Sequence, residues 1–139
     1  MTHLDEVAAL IERSRANLAD AVANHREGRY RTAVALSYYG IFYAAKAVLA
    51  YRREGAKTHR GVISAFNRVA VAHSDFPIDV SRLLKVAQTQ RLSADYDMSR
   101  AVGDWQKQES SLAIERATTF LDEVEAWLMR NSLPDEDLF

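Results

Sequence analysis

The chain has 139 residues, 48% of them hydrophobic and 27% charged, which is typical of one folded domain and excludes a disordered or fibrous protein. It contains 0 Cys, which excludes disulfides, thiolate nucleophiles and cysteine-ligated zinc. The net charge of −1 is unevenly spread, because residues 24–60 hold 8 Lys/Arg against 2 Asp/Glu and residues 104–139 hold 3 against 9. This asymmetry fits attraction to a polyanion, complementarity between subunits, or simple solvation of two helices.

A first helix is predicted over residues 4–27, where apolar side chains recur every three or four positions. The sequence at its start, MTHLDEVAALIER, carries early acidic residues and no apolar run of signal-peptide length. We therefore expect a cytoplasmic location.

A second helix is predicted from Arg29 to Arg53, and both of its faces are apolar. The stretch 32–51 is apolar enough to be tested as a membrane span, but Lys46 lies within it, and a charge in mid-membrane costs roughly 2.5 to 3.5 kcal/mol. A buried central helix without membrane contact is therefore predicted. Gly40 in the middle of this helix indicates a close crossing by a neighbouring helix.

The second helix is predicted to end at Gly55, a residue suited to the left-handed terminal position. Thr58 is predicted to cap a third helix from His59 to Ala72. The segment 73–77 is predicted to be a loop.

A fourth helix is predicted from Ile78 to Ser93, followed by an irregular segment over residues 94–104 with Asp104 as a helix cap. A fifth helix is predicted from Trp105 to Arg130. No strand alternation and no repeat occurs in the sequence.

The fold class predicted from these elements is an all-α, up-and-down antiparallel bundle of about five helices, because the connections between the helices are short. We expect one domain over residues 1–131 and an acidic C-terminal tail over residues 132–139.

Metal and cofactor sites are not expected in this chain. No glycine-rich phosphate loop follows a strand, and the 4 His are scattered along the sequence rather than paired at helical spacing. Asp95 and Asp97 are two carboxylates without further oxygen donors, which is a weak indication of a hard cation.

Two segments hold the groups that metal-free cleavage of RNA requires, namely a proton acceptor, a proton donor and a cation at the phosphate. In the first, Lys57-Thr58-His59-Arg60, the start of a helix favours an anion. Capping by Thr58 and packing of His59 account for the same residues without any site.

The second segment, RLSADYD, places Arg91 and Asp95 one helical turn apart. An exposed ion pair with this spacing contributes only a few tenths of a kcal/mol. Because helical periodicity weakens at the same place, a functional role is the alternative interpretation.

The order SYYGIFYAAKAVL, KTHRGVISAF, RLSADYD and a long last helix resembles the HEPN domain, in particular its small stand-alone prokaryotic branch, over residues 5–130. The resemblance implies a helical bundle that forms a homodimer. It also implies a toxin partnered by a separate minimal nucleotidyltransferase protein, and in many members a metal-independent endoribonuclease.

The usual active motif of the family is Arg, four to six residues and then His, contributed by both subunits to a cleft. Arg91 matches the Arg, but Tyr96 stands where the His is expected. Literal matches elsewhere in the sequence run from Arg68 to His73 and from Arg53 to His59. His59 supplies the missing imidazole if it faces Arg91 in the folded protein.

The leading hypothesis is therefore a toxin-like HEPN protein with ribonuclease activity. The alternative hypotheses are a non-catalytic module that binds a nucleotide or the nucleotidyltransferase, favoured by Tyr96, and a dimeric helical scaffold. Tyr96 is also the candidate for modification by the partner. The predicted catalytic residues are Arg91, Asp95, Tyr96 and His59, and the predicted RNA or phosphate contacts are Lys57, Thr58, Arg60, Arg52 and Arg53.

Overall fold

The computed structural model describes residues 2–138, and within this range it contains helices and no strand. The predicted all-α fold class is confirmed. The five α-helices are α1 His3–Arg26, α2 Tyr30–Tyr51, α3 His59–Phe66, α4 Ile78–Tyr96 and α5 Lys107–Asn131.

Helix α2 is the centre of the bundle, because α1, α3, α4 and α5 all pack against it. It is long and apolar enough to cross a membrane, yet 72% of its most apolar window is buried inside the protein. The apolar side chains on both of its faces are therefore covered by neighbouring helices, as predicted for a buried central helix.

Gly40 lies where α1 crosses α2. The Ser14 hydroxyl donates a 2.6 Å hydrogen bond to the Gly40 carbonyl, and a Cβ at position 40 would lie 3.0 Å from Leu18 Cγ. The predicted close crossing is confirmed, since a side chain at this position would press against Leu18 of α1.

The C-terminus of α2 differs from the prediction. Gly55 was expected in the left-handed position, but Arg53 adopts it with φ 56°. The Glu54 N–H bonds to the Leu49 carbonyl at 2.8 Å and the Arg53 N–H to that of Ala50 at 3.0 Å. These two bonds form the Schellman motif, whose left-handed position falls on Arg53, two residues before the glycine.

Helix α3 begins as predicted, with the Thr58 hydroxyl accepting a 2.9 Å hydrogen bond from the Gly61 N–H. The chain remains helical as far as Ala72, because α3 continues directly into a π-helical turn, Asn67–Ala72. The sequence predicted this extent but contained no sign of the change to π geometry.

Helix α4 is longer than predicted. It continues through Tyr96 instead of ending at Ser93, so the predicted irregular segment 94–104 begins too early. The Arg31 guanidinium on α2 donates a 3.0 Å hydrogen bond to the Ala94 carbonyl, which helps hold the last turn. Asp95 and Tyr96 therefore lie on the helix that carries Arg91.

The start of α5 also differs, and Asp104 is not its cap. Gln106 is the N-cap, and its N–H donates to the Glu109 carboxylate at 2.9 Å. Trp105, predicted as the first helical residue, is extended and 5% exposed, packed in the small cluster of Val34, Ala94 and Ala113. Burial of this large indole delays the helix start to Lys107.

The predicted C-terminal tail lies against the bundle over the residues that are described. Leu138 belongs to the main hydrophobic core, and the Tyr51 hydroxyl donates a 2.5 Å hydrogen bond to the Glu136 carboxylate. Met1, the first residue of the predicted domain, and Phe139, the last residue of the predicted tail, lie outside the described residues.

We predict that Gly40→Val lowers the free energy of unfolding by about 1 to 3 kcal/mol, because the added side chain overpacks the α1–α2 crossing. Urea denaturation followed by circular dichroism measures this value. Gly103→Val is the matched control, since nothing lies within 4 Å of a Cβ at that position. Equal stability of the two variants would contradict the close crossing.

Candidate functional site

The candidate site is centred on Arg91, a charged residue that is only 7% exposed. Its guanidinium lies 3.5 Å from the Asp95 carboxylate, one turn further along α4. Within residues 2–138, the buried Arg91 Nε has no hydrogen-bond partner. A buried cation with one long ion pair and a free N–H is incompletely neutralised, and this favours binding of a further anion.

Aromatic rings surround the Arg91 guanidinium. It lies 5.2 Å from the centre of the Tyr38 ring and 6.0 Å from the centres of the Tyr39 and Tyr96 rings. These distances are within the range of cation–π attraction. The rings of α2 and α4 therefore restrict the orientation of the guanidinium.

His59 reaches the same site from the first turn of α3. Its Nδ1 atom lies 2.6 Å from the Tyr38 hydroxyl, and its ring stacks on Phe42 with centroids 4.5 Å apart. Tyr38 thus contacts His59 with its hydroxyl and Arg91 with its ring. His59 and Arg91, separated by more than thirty residues in the sequence, are joined through one buried tyrosine.

The electrostatics of the site favour neutral forms of both ring side chains. Burial lowers the pKa of His59, and the nearby charges of Arg91 and Lys46 lower it further. Burial strongly raises the pKa of Tyr38, although Arg91 opposes this shift. At neutral pH the His59 imidazole and the Tyr38 phenol are therefore neutral beside the cations Arg91 and Lys46.

Tyr38 and Lys46 were not among the predicted site residues. Tyr38 lies in the second helix, which the sequence predicts to be buried, and Lys46 serves in the sequence only as evidence against a membrane span. The available signal was the pair of adjacent tyrosines in SYYGIFY, since a buried tyrosine needs a hydrogen-bond partner for its hydroxyl. No pattern in the sequence indicates that the partner is His59.

The predicted phosphate contacts divide into two groups. Thr58, Lys57 and Arg60 lie at the start of α3 beside His59. Arg52 and Arg53 follow the C-terminus of α2, fourteen or more residues after Tyr38, which corresponds to about 21 Å along the helix axis. The structure brings the first group to the site and leaves the second at the other end of α2.

Arg52 and Arg53 have local partners at that end of the helix. The Arg52 guanidinium lies 5.2 Å from the centre of the Trp127 ring. Arg53 Nη2 lies 3.3 Å from His3 Nδ1.

A groove of about 530 Å³ runs between α3 and α4 next to the site. Arg60 and Lys85 bring positive charge to it, and Leu92, the neighbour of Arg91 in the sequence, lies at its wall. The residues that line the groove include no carboxylate; they are Arg60, Ile63, Ser64, Asn67, Lys85, Gln88, Thr89 and Leu92.

Residues 2–138 contain no group of three or more His, Asp or Glu side chains placed to hold a metal ion. Asp97, one of the two carboxylates considered for a cation, accepts hydrogen bonds from the Ser99 N–H at 3.1 Å and the Ser99 hydroxyl at 2.5 Å. These bonds lower the pKa of Asp97. Asp95 is paired with Arg91 instead.

The protein is an all-α bundle with a buried arginine beside a tyrosine-rich central helix. The chain matches the HEPN domain model over residues 7–127. It belongs to the HEPN domain family, and the resemblance noted in the sequence is confirmed.

Relatives of similar length support this assignment. "Putative toxin MJ0605" of Methanocaldococcus jannaschii is 32% identical over 120 residues, covering 86% of this chain and 87% of the relative. "Putative toxin MJ0142" of the same organism is 24% identical, covering 92% and 85%. The UPF0332 protein glr0978 of Gloeobacter violaceus is 30% identical, covering 81% and 87%.

Two solved structures share the fold. TT1696 from Thermus thermophilus superimposes with a TM-score of 0.76 at 21% identity, covering 88% of this chain and 98% of that one. ST0689, an archaeal HEPN homologue, gives a TM-score of 0.69 at 18% identity, covering 86% and 95%. At these identities the likeness concerns the fold alone.

We predict that His59 makes the protein less stable in acid. The unfolded-state pKa of a histidine is about 6.5, and the folded-state pKa of His59 is lower. The stabilisation is therefore complete above about pH 6.5 and is lost as the pH falls from there through the folded-state pKa, because between the two pKa values only the unfolded state binds the proton.

Urea denaturation at pH 7.5 and 5.0 measures this dependence. His59→Gln is expected to lose less stability between the two values than the wild type, while His73→Gln, at an exposed position, retains the wild-type loss. The prediction fails if both variants behave alike. The titratable and charged side chains that face His59 are those of Tyr38, Tyr39, Lys46 and Arg91.

Proposed function

We propose that this HEPN-family protein is the toxin-like half of a two-component system and cleaves single-stranded RNA of the cytoplasm without a metal ion. The observation that carries the proposal is the buried, incompletely neutralised Arg91 guanidinium beside His59, with Tyr38 between them. The toxin names of the two relatives from M. jannaschii support the same role.

In the proposed reaction the 2′-oxygen of a ribose attacks the adjacent phosphorus, and the bond to the 5′-oxygen of the next nucleotide breaks. Arg91 binds the phosphate and stabilises the charge that develops on its oxygens. Asp95 accepts the proton of the 2′-hydroxyl, and Tyr96 donates a proton to the departing 5′-oxygen. The tyrosine is better suited to donation, since a phenol with a reference pKa near 10 is a poor base at neutral pH.

The flanking nucleotides have a place to bind. The groove lined by Arg60 and Lys85 reaches Leu92, which follows Arg91 in the sequence, and carries no acidic side chain. Lys57 and Thr58 lie at the N-terminal end of α3, close to Arg60 in the sequence. Phosphate contacts of this kind are independent of base sequence and weaken with salt.

We predict that the purified protein cleaves single-stranded RNA in EDTA and that Arg91→Ala lowers the rate by about a hundredfold, the effect typical of losing one charge-stabilising donor. Gel analysis of a labelled RNA measures the rate. Arg26→Ala, an exposed arginine at the end of α1, is the matched control and should retain the wild-type rate.

Two results would contradict the nuclease: no cleavage by the wild type, or equal cleavage by wild type and Arg91→Ala. Thermal unfolding of each variant, followed by circular dichroism, separates loss of activity from loss of folding.

We further propose that the protein is a homodimer in which the two Arg91 sites share one cleft. Large apolar side chains are exposed around the C-terminus of α4, where Leu92 is 43%, Tyr96 66%, Met98 92% and Val102 66% exposed. Several large exposed apolar side chains within one short segment are typical of an interaction surface. The family resemblance supports a second copy of the chain as the occupant.

We predict that Met98→Glu converts the dimer to a monomer, because a charge would be buried in the interface. The mass measured by sedimentation equilibrium should then fall from twice the chain mass of 15.7 kDa to that mass. Met129→Glu is the control, since Met129 is 69% exposed near the other end of the long helix α5. A wild-type monomer would contradict the proposal directly.

The second candidate function is a non-catalytic module that binds a nucleotide or the separate nucleotidyltransferase. The exposure of Tyr96, at the position of the family histidine, favours this alternative because an exposed phenol is accessible to a modifying partner. Co-expression with a minimal nucleotidyltransferase, followed by mass spectrometry, would detect an added nucleotide on Tyr96. An unmodified chain would count against this alternative.

A further inference from the structure

We propose that Tyr38 is a positioning residue that fixes the tautomer of His59, so that His59 presents Nε2–H as a hydrogen-bond donor to a phosphate oxygen and does not act as a base. The inference rests on the proposed function only in taking RNA as the source of the phosphate. The tautomer itself follows from contacts within the chain.

The first step is the direction of the bond between Tyr38 and His59. The Tyr38 side chain is 1% exposed, and among the described residues its hydroxyl bonds only to His59 Nδ1, at 2.6 Å. If Nδ1 carried the proton, the buried phenolic proton would have no acceptor, which is unfavourable. The hydroxyl therefore donates, and Nδ1 accepts with its lone pair.

The second step is the charge of the imidazole. Partial burial disfavours a positive charge on His59, and Arg91 on α4 and Lys46 on α2 act in the same direction. The remaining neighbours, Tyr39 and Phe42, are neutral rings. The imidazole is therefore neutral at pH 7, and its single proton resides on Nε2.

This tautomer determines which hydrogen bonds His59 can make. A neutral imidazole protonated on Nε2 and hydrogen-bonded at Nδ1 has no free lone pair with which to take a proton. It can donate a hydrogen bond to developing negative charge, as neutral histidines near helix N-termini do in other enzymes. His59, at the first position of α3, thus joins Arg91 as a phosphate ligand.

The tautomer is tested by the ¹⁵N chemical shifts of the wild-type imidazole in a long-range ¹H–¹⁵N spectrum at pH 7, with the signal assigned from its absence in His59→Gln. We expect Nε2 in the range of a protonated nitrogen and Nδ1 in that of an unprotonated one. Tyr38→Phe should mix the tautomers, whereas Tyr39→Phe leaves them unchanged. A proton on Nδ1 in the wild type overturns the proposal, whether or not Tyr38→Phe folds.

The donor role is tested with a single-stranded RNA carrying 2′-O-methyl groups throughout, which cannot be cleaved through its 2′-oxygens. Binding is measured by fluorescence anisotropy. Glutamine places its amide N–H where Nε2–H lies, so His59→Gln should retain wild-type affinity within about threefold, and His59→Ala should lose about tenfold, typical of one hydrogen bond to a charged group. Equal losses in both variants overturn the donor role.

Failure of the proposed function gives a different result. If the wild type neither binds nor cleaves RNA, the nuclease proposal fails, and the donor role at an RNA phosphate fails with it. The Nε2–H tautomer is then still tested by the ¹⁵N spectrum, which does not depend on RNA.

Discussion

The need to cover α2 on every side governs the arrangement of this protein. A helix with apolar side chains on both faces cannot leave either face in water, so the other four helices pack around it. Tyr38, in the middle of that helix, therefore becomes fully buried and must find a hydrogen-bond partner. The partner of the Tyr38 hydroxyl is His59, and the Tyr38 ring faces Arg91. Burial of the central helix thus positions the candidate site.

The site combines groups that oppose one another electrostatically. Arg91 and Lys46 are positive, and a protonated His59 between them would add a third charge in a partly buried place. The protein limits this repulsion by keeping the imidazole neutral and by pairing Arg91 with Asp95. Arg91 and Lys46 thus carry two positive charges, of which the Asp95 carboxylate neutralises one.

The fold was predictable from the sequence because it follows from periodicity, which is a local property. Thr58 as a cap and Gly40 as a crossing point were also predictable, since their chemistry permits few other roles. Errors occurred where tertiary contacts override local signals. Trp105 is held extended by burial, and the Schellman motif places the left-handed residue at Arg53 rather than at a glycine.

The candidate site was only half predictable. Arg91 and Asp95 lie one helical turn apart, so their pairing follows from sequence spacing. The contact between Tyr38 and His59 depends on how far the chain returns along α2 before α3 begins, and no periodic pattern encodes this distance. Burial of the Tyr38 ring follows from the predicted burial of the second helix, whereas the partner of its hydroxyl does not.

The return segment from Arg52 to Thr58 tolerates few insertions or deletions. It runs back beside α2, with Glu54 and Ala56 next to Lys46 and Leu49, and it delivers His59 to the middle of that helix. One inserted or deleted residue in an extended chain shifts the next residues by about 3.3 Å, which exceeds the tolerance of a 2.6 Å hydrogen bond. The length of this connection, although it lies at the surface, is therefore as constrained as a core side chain.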